Sequence, residues 1–90
     1  MSTFETIADI IVDACDIQRD TIKLESNIIA DLGVDSLDFI DVNFAIDKAF
    51  GIKLPVDEWT KDISDGRAKH EDYFVVGNLV REIDKLVAAK

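Results

Sequence analysis

The sequence predicts an all-α fold, a small bundle of three long helices with one or two short helices in the segment before the last one. Only four Gly and one Pro occur among the 90 residues, which favours long helices over a turn-rich β fold. Apolar residues make up 48% of the chain and recur with helical spacing, so one core can form. The length suffices for a single domain that spans residues 1–90.

The first and the last predicted helices, residues 3–16 and 75–88, each carry an apolar face. Ser2 or Thr3 is expected to cap the first of them. Such stripes are typical of helices that pack against a core. The first face comprises Phe4, Ile7, Ile11 and Ala14, and the last comprises Val76, Leu79, Val80, Ile83, Leu86 and Val87.

The predicted second helix, residues 36–50, is apolar on two sides. Gly51 signals its C-terminal end, and Pro55 opposes continuation. A small domain buries one face of such a helix, so the other face is expected to form an exposed docking surface. The alternative is a central helix that is buried on both sides. One side contains Phe39, Val42, Ile46 and Phe50, and the other contains Leu37, Ile40 and Phe44.

Two less regular segments complete the chain. Residues 17–34 are expected to pack on the core through their apolar residues and to end in a turn at Gly33, which can adopt positive φ. Residues 56–63 predict a short helix that Ser64-Asp65-Gly66 breaks, and residues 70–74 predict another turn or short helix. The apolar residues of the first segment are Ile17, Ile22, Leu24, Ile28, Ile29 and Leu32.

The formal net charge of −9 restricts the partners. Nucleic acid and anionic membranes would repel such a chain, whereas proteins with basic patches would attract it. The acidity is equally compatible with a role in solubility alone. No apolar run reaches the roughly 20 residues of a membrane span, and the acidic start lacks the basic region of a signal peptide. We therefore expect a cytoplasmic protein without membrane insertion.

Ser36 follows a loop and begins the second helix, where backbone N–H groups are unpaired and the helix dipole is positive. A phosphate ester on this serine would be held favourably. Position alone is more typical of an ordinary N-cap, for which Asp35 would serve equally well. Four carboxylates surround the apolar positions with a charged rim, which is a common layout of recognition surfaces. They belong to Asp35, Asp38, Asp41 and Asp47.

Other site chemistries fit the sequence poorly. A Ser36 nucleophile would need a base, but the single His70 lies 34 positions away and no G-x-S-x-G elbow occurs. The acidic stretch from Asp62 does not match an EF-hand because Tyr73 stands where the closing Glu belongs. Cys15 is the sole cysteine and is expected to be a small buried thiol. We expect no catalytic residue and no metal site.

The run Asp31-Leu-Gly-Val-Asp-Ser-Leu-Asp38 resembles the phosphopantetheine-attachment motif of acyl carrier proteins, and Phe50–Pro55 resembles that family's ending of the second helix. The resemblance covers nearly the whole chain and implies an acyl-carrier-like bundle. It implies that a carrier protein synthase attaches 4′-phosphopantetheine from coenzyme A to Ser36, with Asp35 as the acid before the serine. The arm would carry acyl chains as thioesters on a non-catalytic monomer.

The resemblance also implies roles for two further sets of residues. Partner enzymes would be recognised by Asp35, Leu37, Asp38, Ile40, Asp41, Phe44 and Asp47. The acyl tail would be sheltered by Phe39, Val42, Ile46, Trp59, Ile63, Tyr73, Phe74 and Leu79.

The long segment 56–74 points to a subfamily. Its runs Pro55-Val-Asp-Glu-Trp-Thr-Lys61 and Glu71-Asp-Tyr-Phe-Val-Val76 resemble the XL-type acyl carriers of rhizobia and related α-proteobacteria. Those carriers hold a very-long-chain hydroxy fatty acid during elongation, and it then acylates lipid A. The partners would be ketoacyl synthases, other fatty acid synthesis enzymes and a lipid A acyltransferase. The alternatives are a generic type II fatty acid, polyketide or peptidyl carrier and, more distantly, a non-carrier acidic helical adaptor.

Overall fold

The computed structural model describes residues 2–89, and it describes Ser36 by its backbone alone. Five α-helices and one 3₁₀ turn follow one another in this part of the chain. They are α1 (Thr3–Cys15), the 3₁₀ turn (Arg19–Thr21), α2 (Ser36–Phe50), α3 (Val56–Ser64), α4 (Glu71–Phe74) and α5 (Val76–Ala88). Over residues 2–89, the β pairing consists of one antiparallel bridge between Asn27 and Val75. The predicted all-α bundle of three long and two short helices is confirmed.

The ends of α1 and α2 are formed by the residues that the sequence indicates. Ser2 caps α1, since its hydroxyl oxygen accepts a hydrogen bond from the Glu5 N–H at 3.1 Å. Gly51 ends α2 in the left-handed region, at φ 65°, and its N–H donates to the Asp47 carbonyl. A glycine adopts this conformation without the steric cost that a side chain would meet.

The core lies between α1, α2 and α5, and α1 packs against both of the other helices. Each of the three helices contributes large side chains with no exposed surface. They are Ile7 and Ile11 of α1, Val42 and Ile46 of α2, and Leu79 and Ile83 of α5. These faces confirm the predicted stripes except at two flanking positions.

Ala14 and Val87 are the two exceptions, because both are exposed. The buried face of α1 is centred near Ile11 and includes Ala8, so Ala14 lies roughly 70° away around the helix. Val87 similarly flanks the buried face of α5 in its last turn, with 40% of its surface exposed. Helical spacing predicts a stripe, but the rotation of the helix against its neighbours decides its edges.

The connection between α1 and α2 is fastened to the start of α5 by backbone hydrogen bonds. The N–H groups of Val76 and Gly77 donate to the carbonyls of Ser26 and Leu24, both at 2.8 Å. Since α5 has no side-chain N-cap, these carbonyls satisfy donors that a helix start leaves unpaired. A Cβ on Gly77 would lie 3.1 Å from the Leu24 oxygen, so the glycine permits this close approach.

The same connection reaches the core through only part of its apolar set. Ile22 and Ile28 are buried, as predicted, and Ile17 and Leu32 pack partly against the core. The expectation for Leu24 is wrong, because its side chain is 53% exposed. Leu24 contributes its carbonyl to α5, and this leaves its side chain on the surface.

Aromatic contacts hold the segment between α2 and α5. Trp59 of α3 and Tyr73 of α4 stack in the core, and Phe39 of α2 meets Phe74 of α4 edge to face, with ring centroids 5.1 Å apart. The two short helices are thereby joined to each other and to α2. No helix within residues 2–89 has both the length and the apolarity needed to traverse a bilayer.

Candidate functional site at the start of α2

The loop that leads into α2 is held by its own side chains. Asn27 Oδ1 accepts hydrogen bonds from the N–H groups of Ile29 and Ala30 at 3.0 and 2.9 Å, which is an Asx-type turn. The Asp31 carboxylate in turn accepts from the Asn27 N–H at 2.8 Å. Gly33 adopts φ 72°, as predicted. The path of the chain just before Ser36 is therefore defined by hydrogen bonds.

Asn27 is a structural residue of the site that the sequence analysis missed. An Asn in a loop can accept hydrogen bonds from the N–H groups two and three residues later, and this is the sequence signal for an Asx turn. Asn27 stands four residues before the motif that begins at Asp31. Asn27 is only 8% exposed, so its side-chain hydrogen bonds are shielded from water and hold the loop more firmly.

Asp35, and not Ser36, caps α2. Its backbone is extended (φ −67°, ψ 151°), and its carboxylate accepts a hydrogen bond from the Leu37 N–H at 3.3 Å. The Asp35 carbonyl accepts from the Phe39 N–H at 2.8 Å and begins the helical ladder. Ser36 is therefore the first helical residue, which places it beside the positive end of the helix dipole.

One apolar side of α2 is exposed and the other is buried, as predicted. Leu37, Ile40 and Phe44 form an exposed row, here called the docking stripe, with exposed fractions of 70%, 49% and 68%. The opposite side is buried and contains Phe39, Val42 and Ile46. A row of large apolar side chains that stays exposed to water is typical of interaction surfaces.

The carboxylates beside the docking stripe differ in exposure and in hydrogen bonding. Asp38 and Asp41 are exposed. Asp47 is half-buried, and its carboxylate accepts a hydrogen bond from the Leu54 N–H at 2.9 Å. Asp47 therefore stabilises the turn after α2, a role that the sequence did not predict.

The residues predicted to shelter an acyl tail meet in one continuous apolar cluster. Six of them are buried, and two are partly buried at its edge. The buried ones are Phe39, Val42, Ile46, Trp59, Tyr73 and Leu79, and the partly buried ones are Ile63 and Phe74. The buried side of α2 faces this cluster while its other side presents the docking stripe to solvent.

Comparisons with known proteins agree with this geometry. A family model described as the phosphopantetheine attachment site matches residues 5–60. "Acyl carrier protein AcpXL" of Brucella melitensis biotype 1 is 57% identical over 99% of this chain and 96% of its own length. This chain belongs to the acyl carrier protein family. The carrier is also similar to "Acyl carrier protein AcpXL" of Rhizobium meliloti, at 54% identity over 99% of this chain and 94% of the relative.

More distant carriers match less of the chain. "Acyl carrier protein" of Campylobacter hominis is 41% identical over 71% of this carrier and 81% of its own length. Members of the family are non-catalytic carriers of 4′-phosphopantetheine, which a phosphopantetheinyl transferase attaches covalently. The role implies interaction with fatty acid synthesis enzymes and acyltransferases.

A groove beside α2 contains an acceptor that suits such an arm. The groove measures about 340 Å³ and lies between the C-terminal half of α2, the turn after it and the start of α3. Its lining includes Asn43, whose side-chain oxygen Oδ1 is buried and receives no hydrogen bond from the described residues. An amide-bearing arm attached at the start of α2 would meet a polar partner farther along the helix, so the residues present fit the cofactor.

Two ionisable groups away from the helix start have shifted pKa values. Burial raises the pKa of the Cys15 thiol, and the negative charges of Asp38 and Asp41 raise it further. Cys15 is half-buried at the edge of the core, so the prediction of a buried thiol is met only in part. Burial also raises the pKa of Tyr73, with smaller contributions from nearby carboxylates, of which Asp62 is the largest.

The potential metal ligands of the described residues are dispersed. No three His, Cys, Asp or Glu residues within it are grouped so that they could hold a metal ion. In the acidic stretch after α3, Asp62 and Asp65 form ion pairs with Arg67 at 3.1 and 3.0 Å.

Proposed function

We propose that Ser36 is the attachment point of the 4′-phosphopantetheine arm and that the carrier holds a very-long-chain hydroxy fatty acid destined for lipid A. The observation that carries the site assignment is that Ser36 is the first residue of α2, directly after the capping Asp35. The dipole of a helix stabilises an anion at this end by about 0.3–1 kcal/mol, which suits a phosphodiester.

The arm, when attached, supplies the thiol on which acyl groups are held as thioesters. The two sides of α2 then have different roles, partner recognition on one side and shelter of the acyl tail on the other. The docking stripe contacts a partner enzyme, while exposed Asp38 and Asp41 steer the encounter toward basic patches. The buried side excludes water from the tail, with Phe39 and Val42 nearest in sequence to Ser36.

The test of the attachment site is the intact mass after incubation with coenzyme A and a carrier protein synthase. The unaltered carrier is expected to gain one phosphopantetheine, and Ser36→Ala is expected to gain none. Ser64→Ala, which changes an exposed serine at the end of α3, is the matched control and should load like the unaltered chain. A folded carrier that gains no mass, or a Ser36→Ala variant that does, would overturn the assignment.

The very-long-chain cargo is supported by two observations. Relatives named as the XL type align over 99% of the chain, whereas the Campylobacter carriers align over 71%. In addition, the segment between α2 and α5 contributes Trp59 and Tyr73 to the apolar cluster, which adds cover for a longer tail. Ketoacyl synthases and a lipid A acyltransferase are the proposed partners of a cytoplasmic, monomeric carrier.

The cargo is tested by loading the arm with acyl groups of increasing length and recording the melting temperature of each form. Each methylene that enters the apolar cluster adds about 0.8 kcal/mol of transfer free energy at most. The melting temperature should therefore keep rising into the very-long-chain range. A rise that stops at medium chains would instead favour a generic fatty acid carrier.

The docking stripe is tested by removing its side chains singly. Leu37→Ala and Phe44→Ala are expected to slow loading by the synthase at unchanged melting temperature, because both side chains are exposed. Leu24→Ala removes an exposed leucine outside α2 and is the control. Equal loading rates for all three variants would show that the stripe does not contact the synthase.

A further inference from the structure

We propose that Asn43 accepts a hydrogen bond from an amide N–H of the phosphopantetheine arm and so docks the arm in the groove between α2 and α3. The inference rests on the attachment at Ser36 proposed above and assigns a residue that holds the arm after attachment. Its starting point is the Asn43 side-chain oxygen, which is buried and receives no hydrogen bond from the residues that the structure describes.

An unpaired buried amide oxygen is rare in folded proteins, because burial removes water without supplying a replacement donor. Among the described side-chain nitrogen and oxygen atoms of residues 2–89, Asn43 Oδ1 is the one that is buried and lacks a hydrogen bond. The neighbouring acceptor in the groove, Asp47 Oδ1, is already occupied by the Leu54 N–H. Asn43 therefore has an unused acceptor, which must turn toward the groove before a ligand donor can reach it.

The position of Asn43 suits an arm that begins at Ser36. The two residues are seven apart on α2, so they lie on the same side of the helix, about 10 Å apart along its axis. An arm that leaves Ser36 and follows this side reaches Asn43 with its middle portion. The amide groups of phosphopantetheine lie in that portion, between the phosphate and the thiol.

The chemistry of the groove matches both parts of the arm. Phe44, Leu54, Pro55 and Val56 give it apolar walls for the methyl and methylene groups. The carboxamide of Asn43 offers both an acceptor and donors, as a secondary amide does. The terminal torsion of Asn is broad, so its oxygen can turn into the groove when an N–H arrives.

Docking has a functional consequence for the thioester. An arm that is held at Asn43 keeps its distal end close to the apolar cluster behind α2, and not free in solvent. Release of one hydrogen bond then frees the arm toward a partner that contacts the adjacent docking stripe, of which Phe44 is also part of the groove wall.

The experiment attaches an arm from ¹⁵N-labelled coenzyme A and follows its two amides by NMR. In the unaltered carrier, at least one arm amide should be rigid, exchange its proton several-fold more slowly than in free coenzyme A, and show an NOE to the Asn43 side chain. Asn43→Leu, which keeps the approximate shape without the acceptor, should leave both amides mobile. Asn43→Asp, which retains an acceptor oxygen, should preserve protection.

Asn78→Leu is the matched control, because it removes a half-buried asparagine from α5 outside the groove and should leave arm protection unchanged. Arm amides that are mobile in the unaltered carrier, or equally protected in Asn43→Leu, would overturn the inference while leaving the attachment intact. If Asn43→Leu does not fold, the NOE in the unaltered carrier decides. Failure to gain mass at Ser36 would overturn the attachment itself, and the docked arm with it.

Discussion

Trp59 and Tyr73 stack with their ring centroids 4.6 Å apart and their planes within 7° of parallel. Trp59 is 5% exposed and Tyr73 is 9% exposed, so the pair is shielded from water. It joins α3 to α4, two short helices that are too brief to be stable alone. Together with the contact between Phe39 and Phe74, the stack makes the segment before α5 part of the core.

Loss of the Trp59 ring is expected to destabilise the carrier strongly. Trp59→Ala should lower the free energy of unfolding by about 3–5 kcal/mol, through lost burial and the cavity that remains. Trp59→Phe should cost less, since an aromatic ring can still face Tyr73. Urea unfolding followed by far-UV circular dichroism measures both, because the substitution removes the sole tryptophan fluorophore. Val87→Ala, at an exposed position, should stay within about 0.5 kcal/mol of the unaltered carrier, and an equal loss in Trp59→Ala would contradict the prediction.

Tyr73 should make the carrier sensitive to alkaline pH. Burial, and then the negative charges of Asp62, Glu82 and Asp72, raise the pKa of Tyr73 above its ordinary value of 10.0. The folded state therefore favours the neutral phenol. The stabilisation is fully present below the unfolded pKa of about 10 and is lost as the pH rises through the higher folded pKa.

The comparison that isolates this effect is Tyr73→Phe. Its melting temperature should fall less steeply above about pH 10 than that of the unaltered carrier, because the two proteins differ in no other titratable group. Near neutral pH the same change should cost about 1 kcal/mol, since the hydrogen bond from the phenol to Asp62 is lost. Melting curves with parallel pH dependence would show that Tyr73 does not resist ionisation.

Asp47 and Asp41 should differ in their effect on stability although both lie on the acidic rim. Asp47→Ala leaves the Leu54 N–H without its acceptor and should cost about 1–2 kcal/mol. Asp41→Ala removes an exposed charge from a chain of net charge −9 and should be neutral or slightly stabilising. Chemical denaturation measures both free energies. Equal values would mean that the bond to Leu54 adds nothing, whereas recovery in Asp47→Asn would confirm that an acceptor oxygen is needed.

Cys15 should react slowly with thiol reagents in the folded carrier. Its pKa is raised by burial and by Asp38 and Asp41, so little of the reactive thiolate is present near neutral pH. The reaction with a chromogenic disulfide reagent is expected to be several-fold faster in urea than in buffer. Asp38→Asn combined with Asp41→Asn should accelerate the reaction of the folded carrier, since both negative charges disfavour the thiolate. A folded rate equal to that in urea would contradict the shift.

Several features of the site follow from local chemistry and were predictable. Asp35 caps α2 because a short carboxylate reaches the first unpaired N–H groups, and Gly51 ends it because the left-handed conformation suits glycine. The two apolar sides of α2 were visible in its spacing, and the acids around Leu37, Ile40 and Phe44 indicated which side faces water. The bond from Leu54 to Asp47 was not predictable, because it depends on how the chain turns after the helix.

The helices, the residues that cap the starts of α1 and α2, and the serine that begins α2 are readable from local sequence, because they depend on spacing and on side-chain chemistry within one or two turns. Three features depend on the tertiary structure: Leu24 lies on the surface, Trp59 stacks on Tyr73, and the oxygen of Asn43 is buried without a partner among the described residues. Burial and pairing depend on neighbours from distant parts of the chain. Their positions are set by how the helices rotate against one another, which periodicity does not specify.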